Sequence, residues 1–96
     1  MRDYVGTWQK QSGDAAASHY PLMLTLLPNG QYRGEAAIPG EFTFWDVGSW
    51  SEAAPGVLEL STANDAHIRY KVSRDGDELE FVTPDDERIR YRFVGD

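Results

Sequence analysis

From Leu58 to the C-terminus, apolar residues fall at every second position and turn-forming residues recur roughly every ten, the period of short strands joined by tight turns. Leu58-Glu59-Leu60-Ser61 alternates and is followed by Asn64-Asp65. Ile68-Arg69-Tyr70-Lys71-Val72 is followed by Asp75-Gly76, and Leu79-Glu80-Phe81 by Pro84-Asp85-Asp86; Ile89-Arg90-Tyr91-Arg92-Phe93 completes the set. A helix would space its apolar residues three or four apart, and no such spacing competes here. Asp75-Gly76 suits a type I′ turn, because both central residues need positive φ, which Asp tolerates and Gly adopts freely.

The N-terminal half carries the same signal less cleanly. Strands are expected at about Tyr4 to Gln9, Tyr20 to Leu27, Gln31 to Ala36 and Phe42 to Ser51. Pro28-Asn29-Gly30, Pro39-Gly40 and Pro55-Gly56 supply the breaks. Gln11 to His19 is the one long connection; Gly13 and three consecutive alanines suit either a single helical turn or a flexible lid.

The polar sides of the last four strands alternate in charge: Glu59, then His67, Arg69 and Lys71, then Glu78 and Glu80, then Arg88, Arg90 and Arg92. Neighbouring strands therefore present opposite charges, and such pairs penalise a slipped register. The three arginines also suit an anion-binding stripe, which Glu78 and Glu80 would largely neutralise. A meander of about eight strands leaves two free edges unless the first and last pair, and closure removes that aggregation hazard. The expected fold is all-β: an antiparallel up-and-down meander of about eight strands, closed or nearly closed into a small barrel. Its interior would be just wide enough to be filled by side chains or to hold one small ligand.

At 96 residues the chain suits one domain, covering 1–96, which at this size hides roughly 60–70 % of its unfolded surface. It has no cysteine, which removes disulfides, thiolate metal sites and cysteine nucleophiles. With the strand pattern starting at Tyr4 and no apolar run long enough to span a bilayer, a cytoplasmic protein is expected. The net charge of −7 disfavours nucleic acid and anionic membranes as partners.

Tyr4-Val5-Gly6-Thr7-Trp8 resembles the Gly-x-Trp signature on the first strand of the lipocalins and the wider calycin superfamily. The resemblance implies that Trp8 packs at one end of the barrel, that Gly6 lets the chain pass close to it, and that a late arginine, Arg90 or Arg92, stacks over the indole. It also implies a habit of binding small apolar molecules. The usual helix after the barrel and the Thr-Asp-Tyr-type turn are missing here. A second Gly-x-Trp, Gly48-Ser49-Trp50, follows the first by close to half the chain, which suits either a duplicated four-strand unit or coincidence.

The densest apolar run, Phe42 to Trp50, carries large residues at both parities, so its inward face is ambiguous. If Phe44 and Trp50 point inward, Asp46 follows them, and a carboxylate among aromatics suits a general acid or base; alternatively a bulge re-aims the strand or Asp46 caps amides at the rim. Asp46 is the one weak catalytic candidate. His19 sits where a proton shuttle at the mouth or a solvated side chain are both reasonable, and His67 shares the outward parity of Arg69. Ser61 to His67 holds hydroxyls, a carboxylate and an imidazole, which turn chemistry explains better than a nucleophile. No metal-ligand spacing and no cofactor motif occurs.

The leading expectation is a calycin-like barrel that binds a small hydrophobic or aromatic molecule. Its lining is the inward row Leu22, Leu24, Leu26, Tyr32, Phe44, Leu60, Tyr70, Phe81 and Tyr91, with tyrosine hydroxyls to orient the ligand. One alternative is a small barrel enzyme, a cyclase or isomerase acting on a hydrophobic substrate, with Asp46 or a lumen tyrosine moving the proton. Another is a protein-binding or inhibitor module using the acidic surface and the 11–19 connection. The chain is expected to be a monomer or a homodimer.

Overall fold

A computed structural model describes residues 4–13, 18–38, 40–41, 43–62 and 66–95. Eight strands, β1 (Gly6–Gly13), β2 (Met23–Leu26), β3 (Gln31–Glu35), β4 (Val47–Ala54), β5 (Val57–Ser61), β6 (His67–Asp75), β7 (Glu78–Val82) and β8 (Arg88–Gly95), follow one another around a closed barrel. Every neighbouring pair is antiparallel. β1 closes the barrel against β8 through two register shifts, at Thr7/Trp8 and Lys10/Ser12. Both sheet edges are thereby removed, as the meander required. No helix among the described residues is long and apolar enough to cross a membrane.

Alternation fixes which side chains enter the barrel. Leu58 and Leu60 of β5, Tyr70 and Val72 of β6, Leu79 and Phe81 of β7, and Ile89 and Tyr91 of β8 are all buried. The intervening charged residues face out and pair across strands: Glu59 with Arg69 at 3.0 Å, and Glu80 with Arg88 at 3.1 Å and Arg90 at 2.9 Å. These exposed pairs add little stability, but they match the register Glu59↔Arg69 and Glu80↔Arg90. With Arg88 and Arg90 engaged by Glu80, the three arginines do not form an open anion stripe.

The turns follow local chemistry with one correction. Pro28-Asn29-Gly30 closes the β2–β3 hairpin, with the Leu27 N–H donating to the Gln31 carbonyl at 2.8 Å. Pro84-Asp85-Asp86 closes β7–β8 in the same way: Thr83 N–H donates to the Glu87 carbonyl at 2.8 Å, and Asp86 takes the position of Gly30 at φ 66°. Between β6 and β7 the central residues are Gly76-Asp77, one later than expected, and only Gly76 has positive φ (60°). That is the type II′ arrangement, with glycine first, not type I′. The expected turn at Asn64-Asp65, together with Pro39, Phe42 and residues 14–17, lies outside the described residues.

In the N-terminal half three strands differ clearly from their expected extent. β1 runs from Gly6 to Gly13, four residues past the expected Gln9, because its pairing with β8 continues to Gly13, and so it takes up the start of the expected 11–19 connection. β2 begins at Met23, because the chain bends through Tyr20 and Pro21, and proline has no N–H to give a ladder. β4 begins at Val47 and ends at Ala54. Trp45 and Trp50 are both buried, yet an odd and an even residue of one regular strand point to opposite faces. The strand therefore cannot run through both. Residues 43–46 instead cross the end of the barrel as irregular backbone.

One end is closed around Trp8. Its indole N–H donates to the Tyr4 carbonyl at 3.0 Å and its ring meets Phe93 edge-on at 5.2 Å. A side chain at Gly6 would run into the Phe93 ring. The cation over Trp8 is Arg74 of β6, at 5.1 Å, not Arg90 or Arg92, whose parity turns them outward. Trp50 lies on β4 whereas Trp8 lies on β1, three strands apart. A duplicated four-strand unit would carry the first motif onto β5, so the repeat is a coincidence of tripeptides.

Candidate functional site

At the other end of the barrel the bend at Tyr20-Pro21 and the crossing segment 43–46 hold each other in place. The Phe44 N–H donates to the His19 carbonyl at 2.8 Å, the Gly34 N–H to the Asp46 carbonyl at 2.6 Å, and the Thr43 hydroxyl to the Trp45 carbonyl at 3.1 Å. Position 34 has to be glycine for this to happen. A Cβ there would collide with the Trp45 carbonyl oxygen and stand 2.9 Å from the Pro21 ring.

This crossing drives Trp45 into the lumen. Its ring centroid lies 4.6 Å from Tyr20, 4.9 Å from Phe81, 5.1 Å from Tyr70 and 6.3 Å from Tyr91, mostly edge-to-face or tilted. Such contacts are worth roughly 0.5–1.5 kcal/mol each beyond burial. The barrel is filled by side chains at this level.

Of the nine residues expected to line a lumen, Leu24, Leu26, Leu60, Tyr70, Phe81 and Tyr91 are fully buried and Tyr32 nearly so. They form a continuous core with Trp45. Leu22 and Phe44 are only half-buried; Phe44 lies at the mouth, in the irregular segment, so strand parity does not govern it. Asp46 is exposed and points away from the aromatic cluster, because inserting Trp45 turns its successor outward. The carboxylate among aromatics that the acid–base reading required is not formed.

The tyrosine hydroxyls are engaged. Tyr91 donates to the Pro21 carbonyl at 2.7 Å, Tyr32 to the Ser61 carbonyl, and the Tyr20 and Tyr70 hydroxyls are 3.2 Å apart. Burial pushes the Tyr32 phenol up to about 12, while its bond to Ser61 pulls the other way. Burial raises the Tyr70 and Tyr91 phenols further. The Trp45 indole N–H is near enough to Tyr70 to favour its ionised form, yet it makes no hydrogen bond of good geometry and is the one orphaned buried side-chain donor among the described residues.

Above this cluster the mouth opens into a pocket of about 280 Å³. Its floor and one wall are Tyr20, Phe44, Ile68 and His19, with the Phe44 ring 5.6 Å from Tyr20 and 5.9 Å from His19. The β7–β8 turn supplies the rest of the lining: Thr83, Pro84, Asp85 and Glu87. The volume lies just below the range of about 300–1,000 Å³ usual for small-molecule sites. Phe44 is the one residue of the expected lining that reaches it.

His67, exposed and 3.9 Å from Glu59, faces solvent as its parity indicated. Thr62 accepts from the Ala66 N–H through its hydroxyl at 3.2 Å, the turn role expected of that segment. Among the described residues no three His, Asp or Glu side chains are grouped to hold a metal ion. Tyr20, Trp45 and the turn Thr83 to Glu87 belong to the site, though two-residue alternation alone does not single them out as such. Trp45 had a signal, the parity conflict with Trp50; the turn residues meet Phe44 only through closure of the barrel. Comparison with protein-family models, curated proteins and solved structures found no match for this chain.

Proposed function

We propose that this chain is a small-molecule-binding barrel that takes a hydrophobic or aromatic ligand at its mouth. The observation that carries the reading is the 280 Å³ pocket walled by Tyr20, Phe44 and Ile68 above a filled core. Flat apolar side chains, a concave shape and a rigid base are what a small ligand needs. Kinship with the calycins belongs to the same proposal. It rests on the closed eight-strand meander and on Gly6-Thr7-Trp8 standing at one barrel end. On this reading the protein works in the cytoplasm as a monomer or homodimer, away from nucleic acid and membranes, and uses no cofactor.

The test is an amide chemical-shift titration with a panel of neutral aromatics such as indole, naphthol and phenethyl alcohol. Saturable shifts centred on Tyr20, Phe44, Ile68 and Thr83, abolished in Phe44→Ala with the remaining spectrum intact, are expected. A panel that moves no resonance at the mouth overturns the reading. The filled lumen also favours a second reading, a protein-binding module whose partner meets the outer surface; it gains if the panel fails.

A further inference from the structure

The walls of the mouth pocket accept many apolar bodies, but its rim carries charge of one sign. We propose that the pocket selects a small organic cation, an amine or quaternary ammonium borne on an apolar or aromatic body; this rests on the pocket being a binding site at all. Asp85 and Glu87 both line it, in the same pocket as Phe44 and Tyr20. Their charge reaches the aromatic side, since both act to raise the Tyr20 phenol, after the larger effect of its burial.

Neither carboxylate is needed to hold its own turn. The bonds closing Thr83 to Glu87 are made by backbone groups and by the Thr83 hydroxyl, which accepts from the Glu87 N–H at 3.1 Å. Neither has a cationic partner among the described residues. Among the described residues no lysine or arginine lines the pocket. Lys10, at the same end, donates to the Tyr20 carbonyl at 2.9 Å. Arg69 and Lys71 stand on the outer face of β6 and line a separate cleft beyond Thr83 and Pro84.

Two unpaired carboxylates in one pocket with aromatic rings make a complementary site for a cation. The ring faces attract positive charge through their quadrupoles, and the carboxylates do so directly. An anionic ligand would meet both carboxylates with no lysine or arginine among the described lining residues to offset them, His19 being the one basic side chain there. The net charge of −7 enriches cations around the molecule as a whole.

Three probes that share one body and differ in charge decide the matter: phenethylamine, phenethyl alcohol and hydrocinnamate. Each is titrated into the intact protein at low and high salt and followed at the amides of Tyr20, Phe44, Ile68 and Glu87. Phenethylamine is expected to bind about tenfold more tightly than the alcohol at low salt, the order that one cation–π contact and two screened ion pairs supply. Hydrocinnamate should bind most weakly, and salt should narrow the gap. In the Asp85→Asn, Glu87→Gln double variant most of the amine's advantage should be lost, leaving only what the cation–π contact supplies, while the alcohol itself is unchanged. Equal affinities in the native protein, or tightest binding by hydrocinnamate, would overturn the cation preference and leave the binding site standing. A preference undiminished in the double variant would overturn its assignment to these carboxylates. No shift with any probe would remove the binding site and the inference together.

Discussion

Replacing each buried tryptophan with phenylalanine should produce two different outcomes from one chemical change. Trp→Phe removes roughly 40 Å² of apolar surface, about 1 kcal/mol, and leaves a void of roughly 40 Å³, about 1 kcal/mol more. All three sites share that loss of about 2 kcal/mol. Trp50 also donates to the Leu27 carbonyl at 2.9 Å and Trp8 to the Tyr4 carbonyl at 3.0 Å. Losing such a bond adds about 1 kcal/mol, so Trp8→Phe and Trp50→Phe should each cost about 3 kcal/mol. The Trp45 N–H is buried and only approaches the Tyr70 hydroxyl, without a hydrogen bond of good geometry, so removing it recovers much of a desolvation penalty of about 1–3 kcal/mol. Trp45→Phe should therefore fall within about 1 kcal/mol of the native protein. Urea unfolding followed by far-UV circular dichroism resolves the difference, which at an m-value of about 1–3 kcal/mol/M separates the midpoints by roughly 1 M or more. Equal destabilisation at positions 45 and 50 would mean that the Trp45 N–H has a partner and that the description of the plug is wrong.

Gly34→Ala drives a methyl group into the Trp45 carbonyl and the Pro21 ring; overpacking of this kind costs roughly 1–3 kcal/mol and should appear as lower stability with a weakened near-UV signal from the aromatic cluster. Native stability in Gly34→Ala would show that the crossing segment does not rest on β3. The Tyr32, Tyr70 and Tyr91 phenols are raised above their ordinary value of 10.0, so the folded state holds protons that the unfolded state releases. Their contribution is complete below pH 10 and is lost as the pH rises toward about 12 and beyond. Phenolate absorbance should lag behind pH 10 and then rise together with unfolding; five tyrosines ionising near pH 10 in a folded protein would refute it. Asp86 holds φ 66° without being glycine, and Asp86→Gly should raise stability by up to about 1 kcal/mol, or roughly 4–8 °C in Tm; a lower Tm would show that the aspartate side chain compensates its backbone.

The C-terminal hairpins were legible because one face of each strand is buried and the other charged, so a two-residue period specifies the strands and the sign of charge each presents to its neighbour. The exact partners, Glu59 with Arg69 and Glu80 with Arg90, were not, because register depends on which residues centre each turn, and that between β6 and β7 lies one residue later than its composition suggests. Closure was legible from the edges it removes. The region from Phe42 to Trp50 was not, because period-two reasoning assumes one continuous strand, whereas tertiary contact with Gly34 and Pro21 breaks it at Asp46. That single break moved Phe44 to the mouth, brought Trp45 inward and turned Asp46 out. The carboxylates in the same pocket as Phe44 were hidden for another reason. Pro84-Asp85-Asp86 has the composition of an ordinary turn, and only the barrel brings it to an aromatic wall more than thirty positions away in sequence.

The position of Trp45 also decides how deep a ligand can go. A ligand that occupied the lumen would have to expel a fully buried indole from contact with Tyr20, Tyr70, Phe81 and Tyr91. Losing a buried tryptophan of this kind costs about 3–5 kcal/mol, which weakens the apparent dissociation constant by roughly 10²- to 10⁴-fold. A ligand seated against Phe44 and Tyr20 incurs no such loss. A small chain gains its core from the ring that fills its barrel, and the same ring confines recognition to the mouth. Burial of Trp45 should therefore persist in any complex, its indole signals unchanged while those of Tyr20 and Phe44 shift. A complex in which the Trp45 resonances move to solvent-exposed values would place the true site in the lumen, with segment 43–46 as its door.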